Sequence, residues 1–186
     1  EQIQSWKNEA LAGGTQGSLN LSGGDTMTIG PKKIAGNLDL SNNGTTLTIS
    51  GTLWVTGNVS LSNESQIKLS SSYGSGSGMI IADGTISTQN SASFAGSGTT
   101  GSYMMLLTTS DTDEAIKIQN HAGTVILVAP YGKISFSNDA GAKEAIAKSI
   151  HMQNNSTLTY GSGLINVNFI SGPSGGYSIS SWKETE

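Results

Sequence analysis

The stretch Leu38-Asp39-Leu40-Ser41-Asn42-Asn43 decides the reading of this chain, because the same pattern returns again and again. It recurs as Val59-Ser60-Leu61-Ser62-Asn63-Glu64 and as Ile116-Lys117-Ile118-Gln119-Asn120-His121. Ile134-Ser135-Phe136-Ser137-Asn138-Asp139 and Ile150-His151-Met152-Gln153-Asn154-Asn155 are further copies, and Ile86-Ser87-Thr88-Gln89-Asn90 is a looser one. In each, two apolar residues flank a polar one, so the apolar pair shares one face of a strand. The Asn that follows tolerates a left-handed backbone and suits a corner.

Working outward, more short strands of the same kind lie between the copies. Leu47-Thr48-Ile49, Leu53-Trp54-Val55 and Ile67-Lys68-Leu69 are the clearest, with Val125 to Val128 and Leu158-Thr159-Tyr160 further on. Three short strands with their corners take about twenty residues, the length of one solenoid turn. The predicted fold is therefore all-β: a single-stranded right-handed parallel β-helix, with equivalent Asn side chains bonded along a ladder. A hairpin-built sandwich or barrel is the alternative, and Asn43-Gly44 and Asp83-Gly84 are its turn signals.

Composition agrees with strands and corners. The 186 residues include 29 Ser, 19 Thr, 14 Asn and 25 Gly, interleaved with apolar residues rather than segregated from them. Only 12% are charged, about half the usual share. The net charge is -4 and every basic residue is Lys, so a nucleic-acid partner is not expected. Without Cys there is no disulfide and no thiolate chemistry.

The expected organisation has three parts. Residues 1–14, with Ile3, Trp6 and Leu11 in a weak helical pattern ending at Gly13-Gly14, form an N-terminal cap or a linker from an upstream anchor. Residues 15–176 form the β-helix. Residues 177–186 close it, with Trp182 as an aromatic anchor after the turn at Gly172-Pro173. The Gly/Ser stretch 70–78 and the Ala-, Lys- and Glu-rich stretch 140–148 break the rhythm. The first reads as a loop and the second as a short helical or irregular bulge.

No catalytic constellation emerges, and neither a cofactor nor a metal is expected. Asp111, Asp113 and Glu114 are the densest acidic cluster, but the full calcium-loop pattern is missing and a solvated turn is the expectation. His121 and His151 lack the partners a zinc site requires. No Arg is present to grip a uronate, and no nucleophile elbow, P-loop or dinucleotide fingerprint occurs. If the chain binds a surface, the candidate residues are the aromatics Trp54, Tyr73, Tyr103 and Tyr131.

Four stretches carry a family resemblance. They are Ile34 to Asn43 continuing into Gly51 to Val59, Val128 to Asn138, Ile150 to Tyr160, and Ser181-Trp182-Lys183-Glu184. In this order they resemble the extracellular β-helix domain of bacterial type IV pilus-associated, minor-pilin-like proteins, and more distantly bactofilin-like polymer-forming proteins. The resemblance implies a non-enzymatic structural or display domain at the cell surface, anchored through a hydrophobic helix upstream. It implies other surface or pilus subunits as partners. A carbohydrate- or surface-binding adhesion module is the second expectation, with a surface glycan as partner. A polysaccharide-acting enzyme is the third and weakest.

Overall fold

The computed structural model describes residues 2–120 and 125–159. His121, the last residue of the Leu158-Thr159-Tyr160 strand, and the closing segment with Trp182 lie outside the described residues. The chain opens with helix α1 (Gln2–Ala12), then β1 (Thr15–Leu21), β2 (Thr26–Ile29), β3 (Lys32–Leu40), β4 (Thr46–Ile49), β5 (Leu53–Val55) and β6 (Val59–Leu61). It continues with β7 (Gln66–Leu69), a single 3-10 turn (Ser71–Tyr73), β8 (Gly78–Ala82), β9 (Ile86–Thr88), β10 (Ser93–Ala95) and β11 (Met104–Thr108). The last strands are β12 (Ile116–Gln119), β13 (Val125–Ser137), β14 (Gly141–Ala142), β15 (Glu144–Met152) and β16 (Thr157–Leu158). Strand is 53% of the structure and helix 9%, so the architecture is all-β with one accessory helix.

All strand pairing among the described residues is parallel, and it joins strands far apart in sequence. Three long ladders result, beside a short pairing of β14 with β16. One runs β1–β3–β5–β8–β11–β13–β15 through the first halves of the long strands. A second runs β1–β3–β6–β9–β12–β13–β15 through their second halves. The third is β2–β4–β7–β10. Parallel neighbours cannot be joined by hairpins, so the sandwich alternative does not hold.

The period-2 pattern sets the core. Leu38, Val59, Ile86, Ile116 and Ile134 stand in one register column. Leu47, Ile67 and Phe94 stand in another, and Leu53, Ile80, Leu106 and Leu127 in a third. All are buried in one continuous apolar cluster fed by the three ladders. The polar residues between them face away, and Lys68 of β7 is exposed.

Corners follow the sequence reading closely. Asn42, Asn63, Asn90, Asn120, Asn138 and Asn154 all have positive φ, between 49° and 74°. Side-chain amides bond between equivalent corners: Asn90 Nδ2 donates to Asn63 Oδ1 at 2.9 Å, and Asn154 Nδ2 to Asn138 Oδ1 at 3.1 Å. A small residue then turns into the next strand, and Thr45, Ser65, Ala92 and Ala140 are fully buried there.

A second corner ladder was not foreseen. Asn37 N donates to Ser18 Oγ, Asn58 N to Asn37 Oδ1, and Thr85 N to Asn58 Oδ1, at 3.1, 3.0 and 2.9 Å. These bonds advance by 19, 21 and 27 residues, so the expected repeat of about twenty holds at first and later lengthens. The Asn oxygens fit because glycine precedes each donor pair. A Cβ on Gly57 would stand 2.2 Å from Asn37 Oδ1 and 2.8 Å from the Gly36 carbonyl oxygen. Gly57→Ala is expected to cost about 1–3 kcal/mol by overpacking, and Asn58→Ala about 1 kcal/mol for the lost bond. Urea denaturation midpoints of the two variants check both.

Two expectations change. Residues 140–148 do not bulge as a helix: Glu144 begins β15, which pairs with β13 from Ile126 onward, because Ala145 and Ala147 extend the inward column. Ile150 and Met152 pair with Ile134 and Phe136 as the repeat requires. Yet they are 41% and 40% exposed, since among the described residues β15 has a partner on one side only. Helix α1 lies along β3 and β5, and its Ile3 and Trp6 pack on the outer apolar residues of the first ladder.

Candidate functional site

The first ladder has apolar residues on its outer face as well. Met79, Ile81, Tyr103, Met105, Leu107 and Ile126 form a second cluster outside the main core. Such a face must be covered, and α1 covers it with Ile3 and Trp6, while Ala10 further along the helix is fully buried. Eleven residues of helix reach about 16 Å, enough to cross several strands about 4.8 Å apart.

Polar contacts fix the helix in place. Lys7 Nζ lies 2.6 Å from Asp83 Oδ1. Trp54 Nε1 donates to Asp83 Oδ2 at 3.0 Å, and Thr109 Oγ1 reaches Oδ1 at 3.5 Å. The Trp54 ring is faced by two ammonium groups, Lys33 at 4.1 Å and Lys7 at 5.3 Å from its centroid. At the other end of the helix Thr52 Oγ1 donates to Glu9 Oε2 at 3.2 Å. The turn at Gly13 passes so close to Pro31 that a Cβ there would meet its carbonyl oxygen at 1.8 Å.

The four candidate aromatics are therefore not one binding row. Trp54 points away from the core but is half-buried beneath the two lysines. Tyr103 belongs to the cluster that packs with the helix, and Tyr73 belongs to the main core. Only Tyr131, at 56%, is well exposed. Asp111, Asp113 and Glu114 are exposed, and Glu114 pairs with Lys117 at 2.9 Å. No group of three or more Asp, Glu, His or Cys poised to hold a metal occurs among the described residues. His151 is exposed on β15. No helix among the described residues is long and apolar enough to cross a membrane.

A groove of about 600 Å³ lies beside β9 and β12, and sequence reasoning missed it. Ser87 and Lys117 pair in register on its floor, Gln89 and Gln119 line it further on, and Thr112, Asp113 and Glu114 form a wall. The wall exists because residues 109–115 separate β11 from β12, whereas three residues suffice between β5 and β6 and between β8 and β9. It is held firmly. Thr108 Oγ1 donates to the Gly84 carbonyl, Ser110 N to Thr108 Oγ1, and Lys133 N to the Thr112 carbonyl. Gly132 admits the close approach: a Cβ there would meet the Ala115 Cβ at 2.4 Å and the Ser110 carbonyl oxygen at 2.6 Å.

Among the described residues three carboxyls are perturbed, all upward. Burial raises Glu9, with the Thr52 hydroxyl bond partly offsetting it, and burial raises Asp39 and Glu144. A raised folded-state value means that the folded chain holds more protons than the unfolded chain in that window. The associated stability is complete below the ordinary carboxylate range and is lost as pH rises through the raised values. The melting temperature attributable to these groups is expected to fall from pH near 4.5 toward neutrality. Glu9→Gln flattens part of that slope in a pH series of thermal melts.

Comparison with known proteins finds no matching family model, no matching curated protein and no matching solved structure.

Proposed function

We propose that this chain is a right-handed single-stranded parallel β-helix serving as a non-enzymatic, extracellular structural or display domain of a surface or pilus-associated protein. The observation that carries the reading is the succession of parallel pairings from β1 to β15 around one core. Such an array distributes stability over neighbouring repeats and presents long polar faces. The strapped helix supports it further, since it ties one flank to the ladder through Lys7, Asp83 and Trp54. Adhesion through a row of aromatics has weaker support, because Tyr131 alone of the four stands open.

Cell-surface display is tested on the full-length protein in the organism that makes it. Antibody against this domain should label intact cells, and brief protease treatment of intact cells should remove the label. Labelling only after permeabilisation would overturn the reading.

A further inference from the structure

We propose that the groove beside β9 and β12 binds a short segment of neutral oligosaccharide. The inference does not depend on where the protein is located.

The lining chemistry points to a polyol. The described residues that line the groove are all of polar type, with hydroxyls from Ser87 and Thr112, amides from Gln89 and Gln119, and charged ends from Asp113 and Lys117, their aliphatic stems forming the surface between these groups. Sugar hydroxyls both donate and accept, and they can engage carboxylate, amide, hydroxyl and ammonium together. The formal charge of the lining favours a neutral ligand. Lys117 is already paired with Glu114, so Asp113 leaves the groove slightly negative and unsuited to an anion. Inorganic cations find no convergent set of carboxylates among the described residues.

Size and rigidity agree. A volume of about 600 Å³ falls within the roughly 300–1,000 Å³ typical of small-ligand clefts. The wall is preorganised by Gly132 and by the bonds at Thr108, Ser110 and Lys133, so little ordering cost attends binding. Among the described residues no aromatic lines the groove, so they offer no stacking platform and the affinity expected is millimolar.

The test is a titration of the 15N-labelled chain, followed through backbone amide shifts, with maltotriose, cellotriose, triacetylchitotriose and the anionic trigalacturonate in turn. At least one neutral trisaccharide should give saturable shifts at Ser87, Thr112, Lys117 and Gln119, while Thr48 and Ser60, outside the groove, stay unmoved. Trigalacturonate should bind more weakly than that sugar. Thr112→Ala combined with Lys117→Ala should weaken binding about tenfold, with an unchanged melting temperature. The inference fails if no neutral trisaccharide moves the groove amides, if shifts spread evenly over the surface, or if trigalacturonate binds best. The wild-type titration decides the matter even if the double variant folds poorly.

Discussion

Leu106→Ala is expected to destabilise the chain by about 2–5 kcal/mol, whereas Ser60→Ala should stay within about 0.5 kcal/mol of the parent. Leu106 is fully buried, between Ile80 on one side and Leu127 on the other in the same inward column. Truncation removes its transfer free energy and leaves a cavity that fixed neighbouring strands cannot close. Ser60 lies on the opposite face of a strand of the same type and is half-buried. Chemical denaturation of both variants measures the contrast. Equal effects at the two positions would mean that inward and outward faces have been misassigned.

The second large effect belongs to the helix strap. Asp83→Ala removes the partner of Lys7, whose side chain is only 14% exposed, and the acceptor for Trp54 Nε1. Leaving a largely buried ammonium and an indole N–H without partners is expected to cost about 1–3 kcal/mol. The loss should be concentrated in α1, because the ladders hold without it. Trypsin should then cut after Lys7 much faster than in the parent, and tryptophan emission should shift to the red as Trp6 and Trp54 meet water. Asp83→Asn keeps an acceptor for Trp54 and should have the smaller effect. Unchanged cleavage and emission in Asp83→Ala would show that the helix is held by Ile3, Trp6 and Ala10 alone.

Much of the fold was legible because the repeat is written in side-chain chemistry. Leu38 and Leu40 announce the inward face, Asn42 announces the corner, and both reappear where the ladders need them. The Asn63–Asn90 and Asn138–Asn154 bonds follow from stacking equivalent corners. The outer cluster was less visible, although a signal for it exists. Met79 to Ala82, Met104 to Leu107 and Val125 to Val128 are continuous apolar runs, not alternating ones. Such runs mark parallel strands buried on both faces and therefore call for a covering element. In the structure Trp54 seats α1 beneath Lys7, and Asp83 pairs with both Lys7 and Trp54.

The groove was illegible for a different reason. Its wall depends on four extra residues between β11 and β12 and on the close approach at Gly132. Neither leaves a motif in the sequence. The acidic residues there drew attention as a calcium candidate, but in the structure Glu114 turns to Lys117 and Asp113 lines the groove. For residues 140–148 the helix-favouring Ala, Lys and Glu misled. Tertiary pairing with β13 outweighs that local propensity, which is worth only tenths of a kcal/mol per residue for such side chains.

The most direct measurement is a set of interstrand backbone nuclear Overhauser contacts on the isotopically labelled chain. Cross-peaks should link Leu47 with Ile67, Ile67 with Phe94, and Ile116 with Ile134, in the pattern of parallel neighbours. Strong Hα–Hα contacts between consecutive segments, such as Thr46–Ile49 with Leu53–Val55, would instead reveal antiparallel hairpins and would contradict the architecture on which the corner ladders, the core and the groove all rest.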